Sequence, residues 1–280
     1  MENKILGEFI SGSLNEDIGD GDHSSLACID SEAIGRAKLL IKGKGILAGC
    51  RIAGRVFNTV DSGLLFDQFL EDGSEISPGE IAFHVSGKKQ SILKSERLVL
   101  NIMQRMSGIA TSTKQYTDRV KDLKSKILDT RKTTPRMRFL EKEAVRIGGG
   151  FNHRMGLYDM IVLKDNHIDF AGGIENAINK TREYLNKTGK NLKVEIEARN
   201  IDDVRRIIAA GGVDRIMLDN FSVSDTRKAV DIIAGRFETE SSGGITLETV
   251  RAYAECGVDF ISVGALTHHI KSLDMSLKAF

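Results

Sequence analysis

The fold class is decided by one stretch, KVEIEARNIDDVRRIIAAGGVDRIMLDN, at positions 193–220. Its two ends, KVEIEA and DRIMLDN, are rich in strand-forming residues, and the segment between them is helix-like. Parallel strands are joined by crossovers of about a dozen residues or more, and these crossovers are usually helices. The stretch therefore predicts a strand, a helix and a second strand that runs parallel to the first.

The same alternation continues through the second half of the chain. Further β-rich stretches, KILDT, MIVLKD, RFETESS and DFISVGA, recur at intervals of roughly 20 to 35 residues. The predicted strands end at polar or small residues, namely Asp129, Lys164, Glu197, Asp219, Ser242 and Gly264. Because α/β barrels place their active sites at the carboxyl ends of the strands, this convergence favours a barrel over a doubly wound sheet.

The first half has a different organisation. Short strands and turns, such as AKLLIKGKGILAG near 37–49 and IAFHVSG near 81–87, predict a small α/β domain. A long helix follows, with Ser95 as its predicted N-cap and with Val99, Met103, Met106 and Ala110 at helical spacing. This helix is expected to link two halves that divide near residue 110.

Composition narrows the classes of function. The 280 residues contain 40 Lys and Arg against 39 Asp and Glu, so a net charge of +1 gives no general attraction to nucleic acid or to a membrane surface. We find no signal peptide and no apolar run that approaches the ~20 residues of a membrane span. Three cysteines without a CxxC pattern suggest neither disulfides nor zinc, and we expect a cytoplasmic protein.

Two carboxylates occur in the strand VEIEA. Period-two alternation places Glu195 and Glu197 on one face, and that face points into the barrel if the apolar side meets the helices. An edge strand with one solvated face is the alternative. Buried carboxylates need partners, and we expect these to be Arg131, Lys132 and Lys164.

A cationic rim is predicted between Asp129 and His167. Arg131 and Lys132 follow directly after a strand, and three glycines precede His153 and Arg154. The next strand ends in LKDNH, which brings Lys164 to the same rim. In isolation each string would be a basic loop or a structural histidine, but together they predict a site for a multiply anionic ligand.

Two glycine turns near the end of the chain predict a phosphate site. The first, ESSGGIT, offers Ser242, Gly243 and Gly244 before a helix expected to start near Thr246, and the second offers Gly264 and Ala265. Free backbone N–H groups at helix starts bind phosphate, and the usual phosphate site of α/β barrels follows the last two strands.

The string DTRKTTPRMRFLEKEAVRIGGGFNHRMGLYDMIVLKDNHI, at 129–168, closely resembles the signature of the quinolinate phosphoribosyltransferase family. Further motifs in the same order extend the resemblance over nearly the whole chain, including LNEDIGDGDHSS, ERLVLNIMQRMSGIAT, VEIEARN, IMLDNF, ESSGGIT and GVDFISVGALTH. The family transfers the phosphoribosyl group of PRPP to quinolinate with loss of carbon dioxide. The products are nicotinate mononucleotide, for NAD synthesis, and pyrophosphate, and Mg²⁺ accompanies PRPP.

The resemblance also implies an architecture. It consists of an N-terminal open α/β sandwich at 1–110 and an incomplete seven-stranded α/β barrel at 111–269. A C-terminal helix at about 270–280 is expected to pack with the first domain. The family's homodimers share their active sites, because the first domain of one subunit covers the barrel of the other, and the sequence leaves dimer or hexamer open.

Roles for single residues follow from the resemblance. Those assigned to quinolinate are Thr130, Arg131, Lys132, His153, Arg154 and Lys164, together with Arg97 from the partner subunit. Those assigned to PRPP and its phosphate are Lys132, Lys164, Glu197, Asp219, Ser242, Gly243, Gly244, Gly264, Ala265 and His268. Lys132, Glu197 and Asp219 are the expected catalytic residues, and the two acids are also the expected Mg²⁺ ligands.

Two residues depart from the family pattern, since Arg136 replaces the usual glycine after Pro135 and Phe151 replaces a smaller residue or histidine. Three other functions are considered. A related phosphoribosyltransferase, of the nicotinate-using type or the paralogue associated with molybdenum transport, would not need the RKT, NHR and KDNH motifs with Arg97. A Schiff-base aldolase would use Lys164. A non-catalytic anion-binding scaffold would need the glycine turns but no acidic pair.

Overall fold

The protein is described from a computed structural model that covers residues 2–280 and divides into two compact units. The first unit contains the chain up to Ser112, with Pro135–Gly148 and Ile270–Phe280. The second unit contains Thr113–Thr134 and Gly149–His269. The boundary at Ser112 lies close to the predicted division near residue 110, but Pro135–Gly148 was expected in the barrel and belongs to the first unit.

The first unit combines helices with an antiparallel sheet. Its helices are α1 (Glu2–Ile18), α2 (His23–Cys28), α3 (Cys50–Val60), α4 (Lys89–Val120, whose last residues enter the second unit) and α5 (Arg138–Ile147). Its strands are β1 (Ile34–Ile41), β2 (Gly45–Ile46), β3 (Leu65–Gln68), β4 (Glu75–Ile76), β5 (Ile81–Lys88) and β12 (Met275–Ala279). The main sheet has the order β12-β1-β5-β3, and β2 pairs separately with β4.

Helix α4 begins at Lys89, before the predicted N-cap. Ser95 therefore lies inside the helix, where its hydroxyl donates to the Ser91 carbonyl at 2.8 Å, and the N-cap prediction is wrong. The predicted apolar stripe is confirmed, because all four of its residues, Val99, Met103, Met106 and Ala110, are buried.

The segment at 270–280 contains strand β12 and no helix, so the predicted C-terminal helix is wrong. Strand β12 pairs antiparallel with β1, and Met275 lies opposite Ile41. Met275 and Leu277 are buried while Ser276 between them is only half-buried, which is the alternation of a strand with one buried face. Met, Leu, Lys and Ala are good helix formers, so the pairing with β1 overrides their local preference.

Helix α5 packs within the first unit through one apolar face. Leu140, Ala144 and Val145 are buried, and the ring of Phe139 lies edge-on to Phe9 of α1, with 5.7 Å between ring centroids. This amphipathic face explains why the segment after Pro135 joins the first unit, although it follows the first strand of the second unit along the chain.

The second unit is built on parallel strands. These are β6 (Lys126–Leu128), β7 (Ile161–Leu163), β8 (Val194–Ala198), β9 (Arg215–Asp219), β10 (Glu238–Ser242) and β11 (Phe260–Ser262), in the order β6-β11-β10-β9-β8-β7. The helices are α6 (Asp165–Ala171), α7 (Ile174–Thr188), α8 (Ile201–Ala210), α9 (Val223–Ile233), α10 (Val250–Ala254) and α11 (Ala265–His268). The predicted strands and their alternation with helices are confirmed.

A seventh position in this sheet is reduced to one residue pair. Phe151 forms an isolated parallel bridge with Leu128 of β6, so the departure from the family pattern at 151 falls at the edge of the sheet. Its ring is half-exposed, and the Lys126 ammonium lies 5.1 Å from the ring centroid. The expected seven strands are therefore six paired strands and one bridge.

Strand β8 lies inside the sheet, between β7 and β9, and all five of its residues are buried. The alternative of a solvated edge strand is therefore wrong. Both of its carboxylates, Glu195 and Glu197, must be compensated within the protein.

Two further expectations concern the chain as a whole. All three cysteines are free thiols, and of these Cys28 is exposed while Cys50 and Cys256 are buried. Within residues 2–280, no helix is both long enough and apolar enough to cross a bilayer.

Candidate active site

A cavity of about 930 Å³ opens in the second unit, where the parallel strands reach their carboxyl ends. Its lining includes every predicted site residue of that unit: Thr130, Arg131, Lys132, His153, Arg154, Lys164, Glu197, Asp219, Ser242, Gly243, Gly244, Gly264, Ala265 and His268. Arg97, an exposed residue of α4 in the first unit, does not belong to this lining. The structure therefore brings together, at the carboxyl ends of the strands, the residues that the sequence predicted to share one rim.

Two guanidinium groups create a strongly cationic region of the cavity. Burial, and next the charge of Arg131, lower the pKa of Arg154 from its ordinary value. The backbone N–H of Arg154 donates to Nδ1 of His153 at 2.7 Å, and its guanidinium Nη1 donates to the Met160 carbonyl at 3.0 Å. These bonds hold Arg154 in place, so that an anion can be met by a group that is already oriented.

An acidic pair, Glu197 and Asp219, lines the same cavity. Lys164 donates through Nζ to one oxygen of Glu197, and the other oxygen accepts the Asp165 backbone N–H at 3.0 Å. Burial, and next the charge of Glu197, raise the pKa of Asp219 above its ordinary value. Because the two carboxylates repel each other, they favour a ligand that brings hydroxyl donors or a cation.

The other carboxylate of β8, that of Glu195, does not contact the partners that were predicted for it. Oε2 of Glu195 lies 2.9 Å from Nε2 of His153, which is 3.6 Å from Oε2 of Glu240. Arg215 donates to the same Glu240 oxygen at 2.8 Å. Of the expected partners, Lys164 bonds to Glu197, whereas the group in contact with Glu195 is His153.

His153, Glu195 and Glu240 also have the donor types of a metal site, and their ligand atoms lie within 4.8 Å of one another. Two observations argue against a metal here. Nδ1 of His153 accepts a hydrogen bond, so the neutral ring carries its proton on Nε2, which faces the carboxylates. Arg215 already places a positive charge beside the buried carboxyls, in an ion pair with Glu240 and in electrostatic contact with Glu195.

The turn at Gly243 has geometry that only glycine allows, whereas Gly264 has an ordinary φ of −64° and lies close to two side chains of the cavity. Gly243 has a φ of +95°, and a Cβ on it would lie 2.2 Å from Oδ1 of Asn220. A Cβ on Gly264 would lie 2.8 Å from Nε2 of His268 and 3.2 Å from Cδ of Lys132. A backbone that a ligand can approach closely, beside the cationic side chain of Lys132, is what a phosphate site requires.

The helices after these turns differ in one case from the prediction. Helix α11 starts at Ala265, next to the predicted turn, but α10 starts at Val250 and not near Thr246. Residues 246–249 form a turn in which the Thr246 backbone N–H donates to the Thr249 hydroxyl at 2.9 Å. The backbone around Gly243 and Gly244 therefore presents its N–H groups from a loop.

Several residues of the lining were not predicted, among them Asp165, Met217, Asn220, Glu240 and Ser262. Glu240 had a usable signal, because period two puts it on the same strand face as Ser242. Asn220 follows Asp219 directly, but nothing in the sequence indicates the direction of its side chain.

The fold and the cavity define a class of protein. It comprises the α/β enzymes that bind a phosphorylated, multiply anionic ligand at the carboxyl ends of parallel strands. Two family models match the chain: quinolinate phosphoribosyl transferase, N-terminal domain, at residues 22–107, and quinolinate phosphoribosyl transferase, C-terminal domain, at residues 109–278. The chain belongs to the quinolinate phosphoribosyl transferase family.

Individual relatives agree with this assignment. The chain is 45% identical over 281 residues to quinolinate phosphoribosyltransferase [decarboxylating] 1b of Nicotiana tabacum, covering 95% of this chain and 80% of the relative. It is 42% identical over 274 residues to the probable nicotinate-nucleotide pyrophosphorylase [carboxylating] of Bacillus subtilis, covering 98% and 92%. The solved nicotinate-nucleotide pyrophosphorylase from Francisella tularensis superposes with a TM-score of 0.92 at 40% identity, covering 99% and 97%.

Proposed function

We propose that this chain is a decarboxylating quinolinate phosphoribosyltransferase, a pentosyltransferase of NAD biosynthesis. Quinolinate and PRPP would give nicotinate mononucleotide, pyrophosphate and carbon dioxide. The observation that carries the proposal is the charge arrangement of one cavity, in which a cationic region, an acidic pair and two glycine turns meet.

The cationic region suits a dicarboxylate. Arg131 and Arg154 would pair with the two carboxylates of quinolinate, since a guanidinium offers planar bidentate hydrogen bonds. Thr130, His153 and Lys164 would complete this end of the cavity. Arg97 of a partner subunit would supply a further cation.

The other end suits the ribose phosphate of PRPP. The turns at Ser242–Gly244 and Gly264–Ala265, with His268, would hold the 5′-phosphate. Lys132 packs against Gly264, and its carbonyl accepts the Thr267 hydroxyl at 2.7 Å, so its ammonium would lie between the two substrates. The acidic pair would hold the ribose hydroxyls.

Catalysis would then rest mainly on electrostatics and orientation. As the ribosyl carbon becomes cationic, the carboxylates of Glu197 and Asp219 would stabilise its charge from fixed positions. After ribosylation the ring nitrogen is cationic and stabilises the carbanion left by carbon dioxide. The enzyme then needs only to orient the product carboxylate and exclude water.

The acidic pair would also hold magnesium. Mg²⁺ prefers oxygen ligands and is commonly held by one or two carboxylates together with substrate phosphates. Glu197 and Asp219 offer such oxygens, and the repulsion that helps to raise the pKa of Asp219 would be relieved by a cation. When bound, the ion would neutralise charge on the diphosphate of PRPP.

We also propose a cytoplasmic homodimer with shared active sites, which could assemble further into hexamers. The free thiols are consistent with a reducing compartment. A net charge of +1 gives no reason to expect nucleic acid as a partner.

The decisive experiment incubates the purified protein with quinolinate, PRPP and Mg²⁺. We expect release of carbon dioxide and formation of nicotinate mononucleotide. Turnover of nicotinate in place of quinolinate would overturn the proposal in favour of a related phosphoribosyltransferase. Borohydride trapping of a carbonyl substrate on Lys164 would instead indicate an aldolase.

A matched pair of variants tests the dicarboxylate pocket. Arg131→Lys keeps the charge and loses the bidentate geometry, so we expect the KM for quinolinate to rise by about tenfold or more. Arg199→Lys changes an arginine outside the cavity, which pairs with Asp169 at 3.1 Å, and should leave that KM unchanged. Equal effects of the two substitutions would argue against Arg131 as a quinolinate ligand.

A further inference from the structure

We propose that Asn220 is a positioning residue, which orients the Asp219 carboxylate and couples it to the glycine turn at Gly243. This inference rests on the proposed function, because Asp219 and Gly243 are the groups expected to hold the ribose and the 5′-phosphate of PRPP. Asn220 would set the spacing between these two contacts.

The backbone of Asn220 has an uncommon conformation. Its φ is +56°, and within residues 2–280 only Arg136 and Ala234 share a positive φ among non-glycine residues. The left-handed region is unfavourable for most residues, but asparagine enters it more readily because its short side-chain amide can form local hydrogen bonds. The chain bends here immediately after β9, directly behind Asp219.

The side chain uses this bend to reach back to its neighbour. Its amide Nδ2 donates to Oδ2 of Asp219 at 2.8 Å, and both residues line the cavity. A hydrogen bond from a fixed amide limits the rotation of the carboxylate about its side-chain bonds. The position of the acidic group is thereby defined before any ligand binds.

The same residue is in contact with the phosphate turn. The backbone N–H of Asn220 donates to the Ser242 carbonyl at 2.8 Å. Oδ1 of Asn220 occupies the space where Gly243 would carry a Cβ, only 2.2 Å from that position. The Asn220 side chain therefore contacts Asp219 through its amide nitrogen and the turn at Gly243 through its amide oxygen.

We expect the contact between Asn220 and Gly243 to matter because of the covalent structure of the ligand. In a ribose 5-phosphate the hydroxyls and the phosphate are joined by a short covalent frame, so their spacing is nearly fixed. A carboxylate and a set of N–H groups held at one spacing would bind both parts together. The affinity for inorganic phosphate alone would not depend on that spacing.

A purely structural role is the competing explanation, in which Asn220 serves only to allow the left-handed bend. Two variants separate the possibilities. Asn220→Gly permits the bend at least as well and removes the amide. Asn220→Asp keeps the shape and replaces the donor with a second carboxylate next to Asp219.

We expect both variants to lower kcat/KM for PRPP by about tenfold to a hundredfold, as for the loss of a hydrogen bond to a charged group. The KM for quinolinate should change less than about threefold, because its expected ligands are elsewhere in the cavity. The control is Ala234→Gly, at a residue with a φ of +49° that follows α9 and lies outside the cavity lining. It should keep full activity.

Binding without turnover makes the test independent of the proposed reaction. Calorimetric titration should show ribose 5-phosphate binding about tenfold more weakly to Asn220→Gly than to the unaltered protein, with inorganic phosphate nearly unaffected. An equal loss for inorganic phosphate would assign Asn220 to the fold of the glycine turn and overturn the inference. Full activity and full ribose 5-phosphate affinity of Asn220→Gly would overturn it too.

Discussion

Among single residues, the buried carboxylates of Glu195 and Glu240 place the greatest electrostatic demand on the second unit. Both are fully buried, and Glu240 is stabilised by Arg215, whose guanidinium also stacks on Phe260 at 3.8 Å. Burial is the main cause that raises the pKa of each carboxyl above its ordinary value. A carboxyl of this kind makes stability depend on pH.

We predict that the free energy of unfolding of Glu240→Gln, relative to the unaltered protein, increases by roughly 1–3 kcal/mol between pH 5 and pH 9. The unfolded carboxyl loses its proton near pH ~4.3, while the folded one keeps it to higher pH because its pKa is raised. The unaltered protein therefore loses stability as pH rises through this window, and glutamine cannot. Urea unfolding at several pH values measures the difference.

The control for this prediction is Glu238→Gln. Glu238 is paired with the same arginine, with Nη2 of Arg215 at 3.2 Å, but its side chain is partly exposed to solvent. We expect no comparable pH-dependent difference for this variant. If the difference in free energy of unfolding between Glu240→Gln and the unaltered protein also did not change with pH, Glu240 would have to be ionised over the whole range.

Arg136 is a second residue with a testable energetic consequence. Its φ is +64°, which explains in physical terms why relatives are expected to carry glycine there. Arg136→Gly should raise the free energy of unfolding by up to about 1 kcal/mol, because the relief of strain exceeds the added entropy of the unfolded chain. Thermal unfolding followed by circular dichroism would show an unchanged or higher midpoint.

The opposite result is expected for Arg146→Gly. Arg146 is also an exposed arginine, but it lies in the last turn of α5, where glycine costs about 1 kcal/mol. If both glycine variants destabilised the protein equally, strain at Arg136 would not explain the family pattern.

At the level of elements, α5 is held in the first unit by two ion pairs of different burial. Arg105 of α4 donates through Nε at 2.8 Å to Glu141, which is fully buried. Arg51 of α3 donates to both oxygens of Glu143 at 2.9 and 3.0 Å, but in this pair Arg51 is exposed and Glu143 is partly exposed. A buried carboxylate that loses its partner is far more costly than an exposed one.

We therefore predict that Arg105→Ala lowers the free energy of unfolding by about 3 kcal/mol or more, whereas Arg51→Ala lowers it by less than about 1 kcal/mol. Denaturant unfolding of the two variants under one set of conditions makes the comparison. Similar losses would indicate that the Arg105 pair is compensated by other contacts of α5.

For the whole molecule, the central prediction concerns the proposed sharing of sites between subunits. Arg97 lies in the first unit and Lys132 lines the cavity of the second. Mixed dimers of Arg97→Ala and Lys132→Ala chains would contain one site without either change. After exchange of equal amounts we expect about a quarter of the sites to be active, because half of the dimers are mixed.

The matched control mixes Lys132→Ala with Lys164→Ala. Both residues line the cavity of one chain, so exchange should restore no site in which both are intact. Native mass spectrometry would verify exchange in each mixture. Failure of the first mixture to regain activity, with exchange verified, would mean that Arg97 acts in the site of its own chain.

The strands and the rim of the second unit could be predicted because each depends on local pattern. Alternation identifies β8, and parallel strands bring their carboxyl ends to one edge wherever they stand in the sequence. The position of Lys164 against Glu197 follows from that rule. For parallel strands, the sequence therefore indicates which residues lie at the same edge of the sheet and share its cavity.

Other features depend on contacts between distant residues. The strand character of β12 is set by pairing with β1, and His153, which contacts Glu195, comes from a segment before β7. Asn220 packs against the turn at Gly243 and donates to the Ser242 carbonyl. None of these contacts leaves a periodic signal in its own segment, since each is decided by packing against another part of the chain.

The pairing of β12 with β1 has a consequence for the order in which the protein can fold during translation. Every strand of the parallel sheet leaves the ribosome before β12 does, whereas β1 emerges early and waits for its neighbour. Until then β1 is an edge strand whose free N–H and C=O groups can pair with other chains. From the synthesis of β5 until that of β12, the newly made protein therefore exposes this edge to aggregation.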